Sequence, residues 1–326
     1  MDAGAEMERQ AEAGDADAQL ALGLERLGHP DSYAAFLSGA ALVERAAAGG
    51  HAEATGVIAT LEAIGAGRPQ SWKRALDGLA LAARRGSDHA RGQLRILARD
   101  PEGTNWEALR VRIDPSELLQ APPPVTLTER PRLRQFRGFA TPAECAWLIA
   151  RMRPRLGPAM VWDAAAGGGR IDPTRSNEAV ELRIGAMDVV MALLRARISA
   201  ATRLPEPIFE VPQVMRYRVG QAFTPHHDFL DPALPGHSAD LRLRGQRIGT
   251  FLVYLNDGFE GGATEFPHAE LNFRGETGDA LFFANVTPDG RPDPMTLHAG
   301  APPTAGEKWI LSQWIRDRAP GAGGRG

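Results

Sequence analysis

Three glycines at a fixed interval constrain the first third of this 326-residue chain. Gly14-Asp-Ala-Asp-Ala18 recurs as Gly50-His-Ala-Glu-Ala54 and as Gly86-Ser-Asp-His-Ala90, a period of 36 residues both times. Ala11, Ala47 and Ala83 precede the glycines in register, and Leu22, Ile58 and Leu94 come after them in register. A glycine between two alanine-rich helical patterns reads as a helix C-cap and tight turn. Alanines at fixed positions let neighbouring helices approach closely. A period of this length means stacked helical units, so residues 1–100 are expected to form an α-helical repeat domain. Such an array offers either a surface for a protein partner or a packing cap for the C-terminal two thirds of the chain.

Beyond residue 100 the patterning is different. Asp100-Pro101-Glu102-Gly103 and Ala121-Pro122-Pro123-Pro124-Val125 are helix-breaking, so residues 101–125 read as a connector. Leu133–Phe139 is strand-like. Thr141-Pro142-Ala143-Glu144 is a helix start, with Thr as N-cap, Pro at N1 and Glu at N3. The helix it opens runs to about Met152, and a second amphipathic stretch covers Met187–Arg203. Both are expected on the outside of a sheet. Between them, the glycine-rich Val161–Asn177 reads as a mobile loop. From Glu210 onward, short apolar runs alternate with Gly, Pro and Asp turns, an all-β signal. The expected fold class is α+β: a C-terminal double-sheet jelly roll over 126–318 with flanking helices, behind the repeat domain. The tail, 319–326, is expected to be disordered.

Within the β half stand four residues suited to one site. His226 and Asp228 lie in Thr224-Pro225-His226-His227-Asp228-Phe229, His298 in Leu297-His298-Ala299-Gly300, and Lys308 in Gly306-Glu307-Lys308-Trp309. Residues i and i+2 of a strand share a face, so His226 and Asp228 project together and His227 projects away. Two histidines and one carboxylate on one face of a metal leave positions open for a chelating co-substrate and O₂, the ligand set of non-haem Fe(II) oxygenases. Glu307–Arg316 reads as a further strand whose alternation puts Lys308, Ile310, Ser312 and Trp314 on one face. The turn-rich Ala301–Gly306 is expected to fold it back beside His298. A His-x-Asp pair alone is weak in a chain with eight histidines. The adjacent His227-Asp228 also suits a histidine–aspartate phosphohydrolase, but that site is built on helices and these flanks are β-type.

Gln213–Phe229, Gly249–Pro267, Gly278–Phe283 and Leu297–Trp314 together resemble the prolyl 4-hydroxylase branch of the 2-oxoglutarate/Fe(II)-dependent dioxygenases. The resemblance covers roughly Val125 to Arg318. A lysine rather than an arginine at the co-substrate position marks the branch. Ala263 departs from it, since the family more often has glutamate there, but alanine is no ligand type in any case. The resemblance implies a double-stranded β-helix and iron(II) on His226, Asp228 and His298. It implies 2-oxoglutarate chelating that iron, with Lys308 on its far carboxylate, and ascorbate as reductant. Tyr254 and Tyr217 match co-substrate pocket positions, Thr264 follows Gly261-Gly262 toward the same pocket, and Trp314 would wall it. Arg175-Ser176-Asn177 approximates a family Arg-x-Ser segment that faces substrate. The implied reaction hydroxylates a prolyl residue of a peptide or protein and releases succinate and CO₂. The loops Val161–Asn177 and Leu230–Arg247 would flank that substrate. A free amino acid or small metabolite is the alternative substrate, and a repeat scaffold with an inactive barrel the alternative function. The repeats themselves resemble Sel-type repeats, relatives of the tetratricopeptide family.

Composition narrows the remaining choices. A formal charge of −3 gives no electrostatic case for a nucleic-acid partner. The basic run Arg242–Arg247 reads as a solvated loop, with contacts to phosphate or an acidic peptide as the alternative. Cys145 is the single cysteine, which excludes an intrachain disulfide. No apolar run reaches the length of a membrane span, so no membrane association is expected. The opening MDAGAEMERQ has neither a basic stretch nor an apolar one, and a cytoplasmic setting is the expectation.

Overall fold

The 36-residue period is realised as three pairs of helices. They are α1 (Ala3–Glu12) with α2 (Ala16–Gly28), α3 (Tyr33–Ala48) with α4 (Ala52–Ile64), and α5 (Trp72–Arg84) with α6 (Asp88–Leu97). Gly14, Gly50 and Gly86 turn the chain within each pair at φ +98°, +95° and +108°, a region open to glycine at little cost. The next residue caps the second helix each time. Asp15, His51 and Ser87 accept from the backbone N–H of Ala18, Ala54 and Ala90. The last turn of each first helix is also served in register. The Ala11 carbonyl accepts from Gln19 Nε2, that of Ala47 from Arg85 Nη1 of the next pair, and that of Ala83 from Arg91 Nε. The repeat is therefore a repeat of end-capping as much as of packing. Ser87 is buried, and Ser87→Ala leaves the Ala90 N–H without its acceptor. A loss of about 1–2 kcal/mol is expected in urea unfolding.

The computed structural model describes residues 3–28, 32–163 and 168–319. It divides into two compact units. One is Met1–Gln120 with Leu182–Arg197, the other Ala121–Glu181 with Ile198–Gly326. Two expectations change here. The stretch read as a connector is helical at Trp106–Arg112 and Pro115–Leu118. Asn105 and Asp114 cap these turns, and Leu109 is buried, which outweighs the Pro and Gly signals nearby. In addition, the first unit includes a later segment. The Gln93 side chain accepts from the Val189 N–H at 2.8 Å, His89 lies 3.6 Å from Asp188, and Arg197 donates to the Leu118 carbonyl. The helix Val189–Thr202 belongs to that unit over its first part. Of the tail expected to be disordered, 319–326, all but residue 319 lies outside the described residues.

The second unit carries two main sheets, antiparallel at every pairing among the described residues. The larger has the strand order Val125–Thr128, Leu133–Phe136, Ala280–Ala284, Arg247–Tyr254, Lys308–Arg316, Gln213–Tyr217, Glu178–Glu181, Gly157–Pro158. The smaller has the order Leu271–Phe273, Thr264–Phe266, His298–Gly300, Phe223–His226. Both supply one apolar core: Leu133, Leu252, Tyr254, Leu281, Phe283 and Ile310 from the larger, Phe266 and Phe273 from the smaller. The helix Pro142–Met152 opens on the expected reciprocal cap between Thr141 and Glu144. Among the described residues, no helix is long and apolar enough to cross a membrane.

Two expected loops contain regular structure. Val161–Asn177 overlaps a hairpin, Met160–Asp163 with Gly168–Ile171, whose tip at 164–167 lies outside the described residues. Leu230–Arg247 contains the helix Pro235–Arg244. Gln246 closes the base of that segment, accepting from the Leu230 N–H and donating to the Leu230 carbonyl. Arg316 holds the helix through Asp240 at 2.8 Å and the Gly245 carbonyl at 2.6 Å.

Candidate metal centre

The two sheets deliver the site residues separately. His226 ends the strand Phe223–His226 and stands in register with His298 on the neighbouring strand. Asp228 comes just beyond the strand end. Their ligand atoms all lie within 4.8 Å of one another. Asp228 Oδ1 is 3.7 Å from His226 Nε2, and Oδ2 is 3.5 Å from His298 Nε2. Each imidazole is fixed by its other nitrogen. Nδ1 of His226 meets the Thr224 carbonyl at 2.8 Å, and Nδ1 of His298 meets that of Thr296 at 2.9 Å. A carbonyl only accepts, so the proton sits on Nδ1 and the Nε2 lone pairs face the centre. Phe223 stacks on His226 with ring centroids 3.5 Å apart.

Protonation suits a cation. Burial pushes His226 down to about 3, helped by His298, so its imidazole is neutral at ordinary pH. Burial alone would raise the Asp228 carboxyl. The neighbouring histidines, Arg247 and the Thr250 hydrogen bond outweigh it and hold the group below its usual range. Two imidazole nitrogens and one carboxylate, aimed at one point, are a ligand set for a divalent metal.

Lys308 reaches the same cavity from the larger sheet. The segment Ala301–Gly306 does not fold its strand back beside His298, as the turn residues suggested. Pro303–Ala305 is itself a short strand on Glu260–Gly261, and the chain crosses to the larger sheet. There Lys308 pairs with Tyr217. The expected alternation holds, since Lys308, Ile310, Ser312 and Trp314 all line the cavity with the three ligands. The Lys308 ammonium lies 5.3 Å from the ring centres of both Tyr217 and Tyr254. Burial pushes it down to about 7, with Glu265 acting in the opposite sense. A buried ammonium so destabilised favours an anionic partner.

The other residues singled out by sequence are placed unequally. Tyr217, Thr264 and Trp314 line the cavity. Burial pushes the Tyr217 hydroxyl up to about 12, so it remains a neutral donor. Tyr254 is not in that lining. Its hydroxyl meets Thr264 Oγ1 at 2.7 Å and the Phe273 carbonyl at 3.0 Å, so it braces Thr264 from behind. Of the supposed substrate segment, only Arg175 lines the cavity. Its guanidinium lies over Phe223 and bonds Gln213 Oε1, Met215 Sδ and the Met160 carbonyl. Ser176 is exposed and bonds the Ala222 backbone, while Asn177 is buried and donates to the Glu178 carbonyl. Sequence reasoning missed Asn285, for which no signal exists, and the contact made by Thr250. Thr250 lies four residues before Tyr254 on the strand Arg247–Tyr254, and nothing in that spacing points to Asp228.

Comparison with known proteins leads to the same chemistry. Residues 212–316 match the model of the 2OG-Fe(II) oxygenase superfamily. Prolyl 4-hydroxylase 1 of Arabidopsis thaliana is 31% identical over 210 residues, 60% of this chain and 72% of that protein. Prolyl 4-hydroxylase 5 of the same plant is 36% identical over 205 residues, 57% of this chain and 68% of that protein. Among solved structures, the viral collagen prolyl hydroxylase of Paramecium Bursaria Chlorella virus-1, in its 2OG complex, is 30% identical, with a TM-score of 0.43. That match covers 56% of this chain and 94% of the viral one.

Proposed function

This chain belongs to the 2-oxoglutarate/Fe(II) oxygenases, in their prolyl 4-hydroxylase branch, and we propose that it hydroxylates a prolyl residue of a peptide or protein. One observation carries the reading: His226, Asp228 and His298 converge in the cavity that also takes the buried ammonium of Lys308. The two antiparallel sheets with a shared core read as the double-stranded β-helix of that branch.

Iron(II) with 2-oxoglutarate and O₂ supplies the oxidant for the C–H bond, releasing succinate and CO₂. The chain holds and orients. His226, Asp228 and His298 would hold the metal. Lys308 would pair with the far carboxylate of 2-oxoglutarate in a charge-assisted contact, and the neutral hydroxyls of Tyr217 and Thr264 stand in the same cavity. Leu252, Ile310 and Trp314 line the cavity and would keep water from the reacting groups. The test is succinate formation with Fe(II), 2-oxoglutarate and ascorbate, together with mass spectrometry of host proteins with and without the enzyme. A gain of one oxygen on proline is the expected result. Oxygen found only on free amino acids would move the substrate to the small-molecule class.

Lys308 gives this reading a pH signature. The ammonium is the binding form, and in the free protein it is half lost near pH 7. A bound carboxylate favours the charged form and raises that value. Between the two, each pH unit should weaken 2-oxoglutarate binding by about tenfold. Affinity measured by calorimetry from pH 7 to 9 should therefore fall, and a flat profile would speak against the contact.

The three helix pairs are proposed to be Sel-type repeats that help position a macromolecular substrate. Exposed Tyr33 and Leu37 on α3 support a contact surface. Tyr33→Ala with Leu37→Ser should reduce turnover of an intact protein substrate and spare that of a short peptide. Equal effects on both would make the pairs a structural cap.

A further inference from the structure

Behind the metal ligands lies a relay of two side chains. Thr250 Oγ1 donates to Asp228 Oδ2 at 2.7 Å, and Asn285 Nδ2 donates to Thr250 Oγ1 at 3.0 Å. All three residues are buried, Asn285 at 0% exposure. The direction of the relay is forced. A carboxylate only accepts, so the one hydroxyl proton of Thr250 points to Asp228. The lone pair left on Oγ1 can then meet only a donor, which must be the amide NH₂ of Asn285. The asparagine is anchored by its own backbone, its N–H on the Ile248 carbonyl at 2.9 Å and its carbonyl on the Asp293 N–H at 3.0 Å. Its Oδ1 is buried with no hydrogen-bond partner among the described residues. A buried acceptor left unmet costs stability, and turning the amide over would not meet it, because Thr250 has no second proton to give.

The geometry points to Thr250 and Asn285 as positioning residues for the metal. By holding Oδ2 they fix the rotation of the Asp228 carboxylate and leave Oδ1 without a side-chain donor among the described residues. They also draw charge from the carboxylate, which tunes it as a ligand. Hydrogen-bonding partners of metal ligands typically change metal affinity by about 10–100-fold when removed. This inference rests on the reading of His226, Asp228 and His298 as a metal centre.

The experiment uses Co(II) as a probe metal on the full chain freed of metal, reading its visible absorption and its dissociation constant. Wild type should bind one Co(II). If it binds none, the metal-centre reading falls and takes the relay with it. Thr250→Val keeps the shape of the side chain and removes the hydroxyl. It should weaken Co(II) by about 10–100-fold and shift the absorption band. Thr250→Ser restores the hydroxyl and should return both toward wild type. Asn285→Ala should weaken Co(II) less than Thr250→Val, because Thr250 can still donate. Unchanged affinity and spectrum in Thr250→Val would overturn the inference, since a merely structural threonine predicts that result. Should circular dichroism show Thr250→Val unfolded, the other two variants decide. Weakened binding in Asn285→Ala with near-normal binding in Thr250→Ser supports the relay, and any other pairing rejects it.

Discussion

Alanine at His226, Asp228 or His298 is expected to remove succinate formation, a loss on the order of a thousandfold or more, equivalent to about 4 kcal/mol at the barrier. The three are not interchangeable in their side effects. His298 and Asp228 are buried, and His298 packs against Phe266 and Phe283, so its loss opens a space in the core. His226 is more accessible and packs mainly under Phe223. His226→Ala should therefore be the most nearly native in stability while equally inactive. Measuring succinate release and thermal unfolding on the same samples separates the two effects. Activity retained in all three variants would end the dioxygenase reading. Metal found on His227, His237 or His268 instead would show that other histidines form the centre. His227 and His268 are otherwise engaged with the Pro294 carbonyl.

Lys308→Ala is the second large expected effect, and it should fall on the co-substrate rather than on the metal. Loss of a charge-assisted contact is worth roughly 1.5–3 kcal/mol, so 2-oxoglutarate affinity should drop about ten- to a hundredfold. Co(II) or Fe(II) affinity should change little. Lys308→Arg is not expected to rescue, because a planar fork needs other acceptors than a compact ammonium does. An unchanged 2-oxoglutarate titration would remove Lys308 from the site. Stability gives an independent check on burial. The folded protein holds this proton less firmly than the unfolded chain, so the stability linked to Lys308 is lowest below pH 7. It rises as pH climbs from about 7 toward 10.5. Lys308→Met should flatten that rise.

Much of the site was legible because it obeys the two-residue period of strands. Lys308, Ile310, Ser312 and Trp314 fall on one face by counting alone. The helix start at Thr141 and the 36-residue period were equally local signals. What counting could not supply was anything fixed by tertiary contact. Whether Arg175 faces a substrate or is spent on Gln213, Met215 and the Met160 carbonyl depends on strands far apart in sequence. Tyr254 shows the same limit, since the resemblance put it in the co-substrate pocket and its hydroxyl is committed to Thr264 and Phe273. The helices at Trp106–Arg112 and Pro115–Leu118 were hidden by neighbouring Pro and Gly, although Asn105 and Asp114 were the caps that announced them.

The two-segment make-up of the helical unit sets an order of events during synthesis. Residues 1–120 leave the ribosome first, yet their unit is unfinished until Leu182–Arg197 has also emerged. The whole of 121–181, which belongs to the other unit, must be made in between. Until then the side chain of Gln93 lacks the Val189 N–H, and the Leu118 carbonyl lacks Arg197. The earliest part of the chain therefore waits on a later one. A nascent chain halted before residue 182 should be more sensitive to protease within its helix pairs than one long enough for residues 182–197 to have left the ribosome.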